Sequence, residues 1–283
     1  MIAQAAIDAV AIHEAGHAVA HVHEGVRFHG QAVIEPVPLS HQKKIRDTEA
    51  RAEPRPPDKS LDYIVEAIEA EEAREFILRY ESLGTIGRPI ARYGARDWTG
   101  ELAAVALFGK TGGNEARNMC GPDYIESAIC LERGACAHWA HPHTASWFIP
   151  RACRMASANH GWRIFYAYSD PAAGEIGTVY QAAGWLYLGQ GVGHGKARPR
   201  EYFRHLVDTD DKWITDKALR VGRGISIADA LAQGWERERR PAKHKYIHFV
   251  GTAGERHAMR RALIRTPIKQ PYPKRRDGDQ ACI

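Results

Sequence analysis

No run of apolar residues in this 283-residue chain approaches the roughly 20 positions that cross a bilayer, so no membrane-spanning helix is expected. The opening residues, Met-Ile-Ala-Gln-Ala-Ala-Ile-Asp, lack the basic flank of a secretory signal, and a cytoplasmic protein is the expectation. Cysteine is scarce as well. Its five positions (Cys120, Cys130, Cys136, Cys153 and Cys282) are odd in number and form no Cys-x-x-Cys pair, which argues against a disulfide framework and for free thiols. Internal repeats and long low-complexity tracts are missing too. What remains is ordinary globular material, 44% hydrophobic and long enough for one large domain or two small ones.

Charge is modest in total and uneven in place. The net charge is +5, yet between Arg237 and Arg276 thirteen lysines and arginines face only two acids, Glu238 and Glu255, so the remainder of the chain is acidic. A basic end on such a body suits a polyanion, because each phosphate it neutralises releases condensed counterions. A solubilising tail would show the same excess. Tyr246, Phe249 and Tyr272 interleave with the charges, and Arg256, Arg260 and Arg261 fall at helical spacing, which favours nucleic-acid contact. The expected DNA contacts are Lys243, Lys245, Arg256, Arg260, Arg261, Arg265 and Lys274, with double-stranded or locally opened DNA as the partner.

Three regions are expected. Residues 1–60 read as an Ala-rich helix closed by Gly25 and a linker over 43–59 that contains Pro54, Pro56 and Pro57. Residues 61–205 read as an α/β core: a strand near 63–68, a helix over 69–80, a hairpin turning at Asp97-Trp-Thr-Gly100, a strand ending at Cys136, and a helix opening at Thr144 or Ser146. Residues 206–283 read as a helical and basic segment in which 210–221 and 226–233 form two helices, suited to a helix-turn-helix-like pair, before a last strand near 245–250 and a basic helix.

The chemistry is expected at one corner. Trp162 to Tyr168 has strand character, Asp170-Pro171 stops it, a helix of a few residues spans 177–183, and Trp185 to Leu188 resumes a strand. This strand, helix, Tyr, Gly-aromatic, strand order is similar to the late part of N-acetyltransferase-like (GNAT) folds. Together with Lys243-His-Lys-Tyr-Ile and Pro271-Tyr-Pro-Lys274 it resembles, over roughly residues 62–276, the phage Mom-type DNA adenine modification proteins, a divergent branch of that fold.

The resemblance implies a mixed central sheet flanked by helices, with an N-terminal helical extension and a basic C-terminal one. It implies an anti-restriction DNA modification that places a carbamoylmethyl-like group on adenine N6. Tyr180 takes the place of the tyrosine facing the donor, and a phenol of pKa near 10 suits a general acid; a core aromatic is the other account of it. Asp170, at the end of a strand, would orient the amine or ligate a metal, while Asp-Pro also explains itself as a turn. Tyr80 matches the tyrosine of a family His-Tyr pair, although Arg79 stands where the histidine would be, which weighs against an iron site on the family's pattern. An acyl-CoA-type donor would set its pyrophosphate near Thr144 and Ser146, but this loop, His-Pro-His-Thr-Ala-Ser, lacks the usual glycine-rich phosphate motif.

A competing signal lies in His13-Glu-Ala-Gly-His17, which resembles the site of membrane-bound ATP-dependent zinc peptidases. His13 and His17 at i and i+4 suit Zn²⁺, and Glu14 would activate the metal's water. A third ligand is required, with Asp97 or Glu101 as candidates. The Cys136, His138, His141 and His143 group is a weaker metal candidate, explained as well by a polar loop. Beside the DNA-modifying transferase stand two alternatives, a zinc metallopeptidase and a non-catalytic DNA-binding protein on a GNAT scaffold.

Overall fold

The structure, a computed structural model, describes residues 41–110, 117–191, 199–209, 212–264, 267 and 272–273. All of them belong to one compact unit, Leu39–Lys274. Its centre is a seven-stranded mixed sheet of order β1-β2-β3-β4-β5-β10-β6. These strands are β1 (Ile64–Ala67), β2 (Ala91–Arg96), β3 (Leu102–Gly109), β4 (Ala128–Cys136), β5 (Ile164–Ser169), β6 (Leu186–Gln190) and β10 (His244–Phe249).

Strand β3, Leu-Ala-Ala-Val-Ala-Leu-Phe-Gly, is buried at all eight positions, which a strand reaches only when both faces are covered. Helices α2 (Ala70–Tyr80) and α3 (Thr144–His160) pack against it. Small residues let the layers approach: a Cβ added at Gly94 of β2 would sit 2.6 Å from Leu102 Cδ2 and 2.9 Å from Ile68 Cγ2. Tyr93, Phe108 and Phe165 continue the core edge to face, at 5.9 and 5.6 Å between ring centroids.

One pair in the sheet is parallel. Strands β4 and β5 meet through Ala128↔Ile164, Ile129↔Phe165 and Cys130↔Tyr166, and the pairing stops there while both strands continue, β4 on β3 and β5 on β10. The two strands therefore splay toward their carboxyl ends. This is the GNAT-like mixed sheet expected from the sequence.

Strand β10 decides the far half of the sheet. It runs antiparallel to β5 on one side (His244↔Ser169 to Phe249↔Ile164) and to β6 on the other. The central sheet accordingly does not close at residue 205, because its sixth member in space comes from the segment expected to be a separate extension.

Two other expectations are corrected. Residues 41–52 form helix α1 (His41–Ala52) in place of a linker, since the prolines begin only at Pro54 and the preceding Gln, Lys, Arg, Glu and Ala are good helix formers. It docks on α2 through Arg79, which donates to Glu49 (2.6 Å) and Glu53 (2.5 Å). The two helices expected over 210–221 and 226–233 are shorter than expected, because Ile214–Thr215 is a strand and the helical residues run only over 216–222 and 227–232. With them a three-stranded sheet, β8-β7-β9, joins Ile214–Thr215, Arg200–Arg204 and Glu236–Arg240. Phe203, Leu219, Ala230 and Trp235 form its own small core. Of the two expected helices the second forms as α5 (Ile227–Ala232), capped by Ser226 Oγ accepting from the Asp229 amide, and the first only over 216–222. Ala218–Gly222 is a π-helical turn that turns Leu219 inward.

Candidate functional site

The corner that follows β5 is tightly constructed. Asp170 caps the turn after the strand, its Oδ1 accepting from the Ala172 amide at 3.0 Å, and helix α4 (Thr178–Ala182) starts at Gly177. Gly177 holds φ +71°, and a Cβ there would lie 2.4 Å from Cε2 of Tyr246, so only glycine lets that ring close the corner. The Tyr246 hydroxyl donates to the Ile176 carbonyl at 2.5 Å, and Gln181 Nε2 donates to the same carbonyl at 2.9 Å.

On this frame the Tyr180 ring rests 5.2 Å from Trp185 and 5.3 Å from Tyr246, centroid to centroid. Its charged and polar neighbours are Glu175, Cys130 of β4, Cys153 of α3 and Tyr246, which places it beside the splay. Burial first, and then Glu175, push the phenol far above its ordinary range, so it is protonated at any physiological pH. Tyr180 is therefore a fixed hydrogen-bond donor.

Asp170 is engaged on two sides. Arg200 Nη2 of β7 donates to its Oδ1 at 2.5 Å, and Lys243 Nζ lies 3.7 Å from Oδ2. Between Asp170 and Tyr180 stands Glu175, which sequence reasoning missed. Burial, then the carboxyls of Glu81 and Asp170, push Glu175 up to about 7, with Lys243 and the Asp170 amide offsetting part of the rise. Glu81, at the end of α2, is raised by burial as well, while accepting from the Leu83 amide at 2.8 Å. Glu175 was visible between Gly174 and Gly177, but the influence of Glu81, which follows α2 far away in the chain, leaves no local signal.

Tyr80 faces a different set of groups. It is buried, its ring 4.7 Å from Phe76 and 6.1 Å from His138, and burial raises its phenol, with Arg79 and the Glu49, Glu53 and Glu101 carboxylates nearby. Tyr80 and Tyr180 thus do not share neighbours in the way Tyr180 and Asp170 share Glu175. An iron centre on the family's pattern does not fit here, since Arg79 is a cation already bound to two glutamates. Among the described residues no group of three or more His, Cys, Asp or Glu side chains could hold a metal. His138 faces the Glu53 carbonyl at 2.8 Å through Nε2, and Arg55 binds Asp97 (3.1 Å) and Glu101 (2.5 Å), the two carboxylates considered as zinc ligands. His13, Glu14 and His17 lie outside the described residues.

The loop ahead of α3 does not fit a coenzyme A pyrophosphate. Thr144 is fully buried and Ser146 Oγ donates to the His143 carbonyl at 3.1 Å. Several loop amides already have acceptors: His141 donates to the Tyr63 hydroxyl, His143 to His141 Nδ1, and Thr144 to the His141 carbonyl. The expectation for Thr144 is corrected on that ground, because a side chain sealed from solvent cannot meet a phosphate.

The basic residues divide in the same way. Lys245 is buried to 4% exposure in β10, its Nζ 5.4 Å from the Tyr168 ring centroid, and is no phosphate contact. Lys243 belongs to the Asp170 corner. Arg256, Arg260 and Arg261 are exposed on helix α6 (Ala253–Arg261), which Thr252 and Glu255 open with a capping box. Arg265 and Lys274 lie outside the described residues.

A mixed sheet splayed beside a tyrosine-bearing short helix defines a GNAT-like protein. The chain belongs to the Mom protein family, whose model matches residues 62–274. Among solved structures it is similar to an IAA acetyltransferase from Bacillus cereus (10% identity, 67% of this chain and 100% of that one, TM-score 0.37). It is also similar to a spermidine N-acetyltransferase from Vibrio cholerae in complex with CoA and spermine (9%, 67% and 96%, TM-score 0.36), and to a Drosophila melanogaster polyamine N-acetyltransferase (9%, 67% and 100%, TM-score 0.36). At such values the likeness is a general one, and the sheet order stands on its own register. No curated protein matches the chain.

Proposed function

We propose that this protein is a DNA-modifying transferase that places a small, carbamoylmethyl-like group on adenine N6. The observation that supports it most is the grouping of Tyr180, Glu175 and Asp170 at the splay of β4 and β5 in a chain of the Mom family. Tyr180, kept protonated, donates a hydrogen bond to the group that leaves the donor. Glu175, near half-ionised at neutral pH, accepts the proton that the amine gives up. Asp170, held by Arg200 and Lys243, orients the base. An amine inside a duplex cannot reach such a corner, so the adenine leaves the stack or is met in a single strand.

Mass spectrometry of nucleosides from the DNA of cells expressing the full chain tests this without assuming a donor. A modified adenine is expected with the wild type and with Glu14→Gln, and at least a hundredfold less with Tyr180→Phe or Asp170→Ala. Wild-type DNA free of modified adenine would sink the proposal. Modification lost in Glu14→Gln but retained in the other two would move the chemistry to the His13–His17 motif.

A further inference from the structure

The chain between β6 and β10 builds the small three-stranded sheet, and both ends of that sheet come together at Asp170. Arg200, the first residue of β7, is paired with Arg240, the last of β9, so the two stand side by side at one end of the sheet. Arg200 Nη2 reaches Asp170 Oδ1 at 2.5 Å, and Lys243, three residues past Arg240, sets its ammonium 3.7 Å from Oδ2. Charge ties a second sheet to the corner.

An arginine on a free stem places its fork poorly, because the side chain carries much rotamer entropy. Here all three guanidinium nitrogens of Arg200 have acceptors: Nη2 donates to Asp170, Nη1 to the Tyr202 hydroxyl at 2.7 Å, and Nε to the Pro241 carbonyl at 3.1 Å. Tyr202 is fixed in its turn. The Arg240 guanidinium lies 4.3 Å from the Tyr202 ring centroid and donates to Glu238 at 2.7 Å. Residues 200, 202 and 204 alternate onto one face of β7, opposite Arg240, Glu238 and Glu236 of β9, so the register of the small sheet sets this row.

The grip decides which oxygen of Asp170 is available. Oδ1 accepts from both the Ala172 amide (3.0 Å) and Arg200, whereas among the described residues no hydrogen bond reaches Oδ2. The Asp170 carbonyl also accepts from the Glu175 amide at 3.1 Å, so whatever fixes Asp170 fixes the loop that carries Glu175. A reacting group displaced by about 1 Å can lose on the order of a hundredfold in rate, so this orientation matters. We propose that the small sheet is a positioning element for the corner, in which Tyr202 holds Arg200 and Arg200 turns Asp170 so that Oδ2 meets the amine. Arg200 touches Asp170 and Tyr202 acts only through Arg200, so both are positioning residues; the proposal rests on the reading that Asp170 orients the base.

Two measurements on the full chain test it: modified adenine in the DNA of expressing cells, and hydrogen exchange of residues 170–176 read by mass spectrometry. Arg200→Gln is expected to lower modification by about tenfold or more, and Tyr202→Phe, which keeps the ring under Arg240, by about threefold to fivefold. Combining them should cost about as much as Arg200→Gln alone, because Tyr202 acts through Arg200. Both should speed exchange in 170–176 by about threefold or more, as the acceptor of the Ala172 amide loosens. Arg204→Gln, on the same face but bound to Glu236 at 2.9 Å, should leave both readouts within about twofold. Faster exchange in the variants, with no modified adenine even in wild type, would support the grip and sink only the functional reading. Multiplied losses in the double variant, an Arg204→Gln effect equal to that of Tyr202→Phe, or either readout unchanged in Arg200→Gln while wild type modifies DNA would each overturn the proposal.

Discussion

Glu175 shows how a single carboxyl acquires a function from its surroundings. Its folded value of about 7 lies above its ordinary 4.5, so folding favours the protonated form. The stability this contributes is complete below about pH 4.5 and is lost as pH rises through 7, at about 1.4 kcal/mol per pH unit, or on the order of 3 kcal/mol in all. Glu175→Gln removes that titration. Urea denaturation is expected to show the variant equal to wild type near pH 4 and more stable by about 2–3 kcal/mol at pH 8, whereas a constant difference across this range would mean that Glu175 does not titrate near neutrality. The activity lost with the substitution would be the cost of a destabilised site, a common trade between stability and chemistry.

Among the elements, β10 carries the clearest lesson about charge. Its sequence, His-Lys-Tyr-Ile-His-Phe, reads as basic and aromatic, yet five of its six residues are buried between β5 and β6. Lys245 is part of the interior, and a substitution there acts on the fold. Lys245→Glu replaces a cation beside the Tyr168 ring with a buried carboxylate, at an expected cost of about 3 kcal/mol or more. Thermal melts of Lys245→Glu and Arg261→Glu, compared with their binding to nonspecific DNA, separate the two positions. The first should lower the melting temperature by several degrees, and the second should leave it unchanged while weakening binding and flattening its salt dependence. A stable Lys245→Glu that binds DNA poorly would return Lys245 to the surface.

At the scale of the whole molecule, Arg55 fastens the segment after α1 to the sheet end, beside the bonds from Tyr63 to Asp58 and from His138 to the Glu53 carbonyl. Arg55 bridges Asp97 and Glu101, and its guanidinium lies 3.6 Å from the Trp139 ring centroid. The Asp58 amide donates to the Trp139 carbonyl at 2.8 Å nearby. Asp97 is nearly sealed from solvent, but Thr99 and the Glu101 amide also donate to it, so removing Arg55 does not leave it wholly unpaired. Arg55 itself is partly exposed, which lowers the worth of its ion pairs. Arg55→Ala is expected to cost about 1–2 kcal/mol and to lower the melting temperature by about 3–6 °C, with Arg55→Lys recovering only part because an ammonium cannot both fork and stack. Full recovery by lysine would show that charge alone fastens the segment.

The sequence by itself determined the local pieces: the hairpin around Asp97–Gly100, the helix over 70–80, β5 with its Asp-Pro stop, the short helix carrying Tyr180, and the basic helix after β10. Each follows from periodicity, turn chemistry or a cap within about ten residues, where the deciding interactions are themselves local. Motifs in the right order also placed the chain in its family. Only the tertiary structure decided the rest. The insertion of β10 between β5 and β6, the three-stranded sheet beside the shortened helices, the burial of Lys245 and Thr144, and the electrostatic effect of Glu81 on Glu175 all join residues far apart in the chain. Burial and electrostatic environment are set by which surfaces meet, and no window of sequence contains both surfaces.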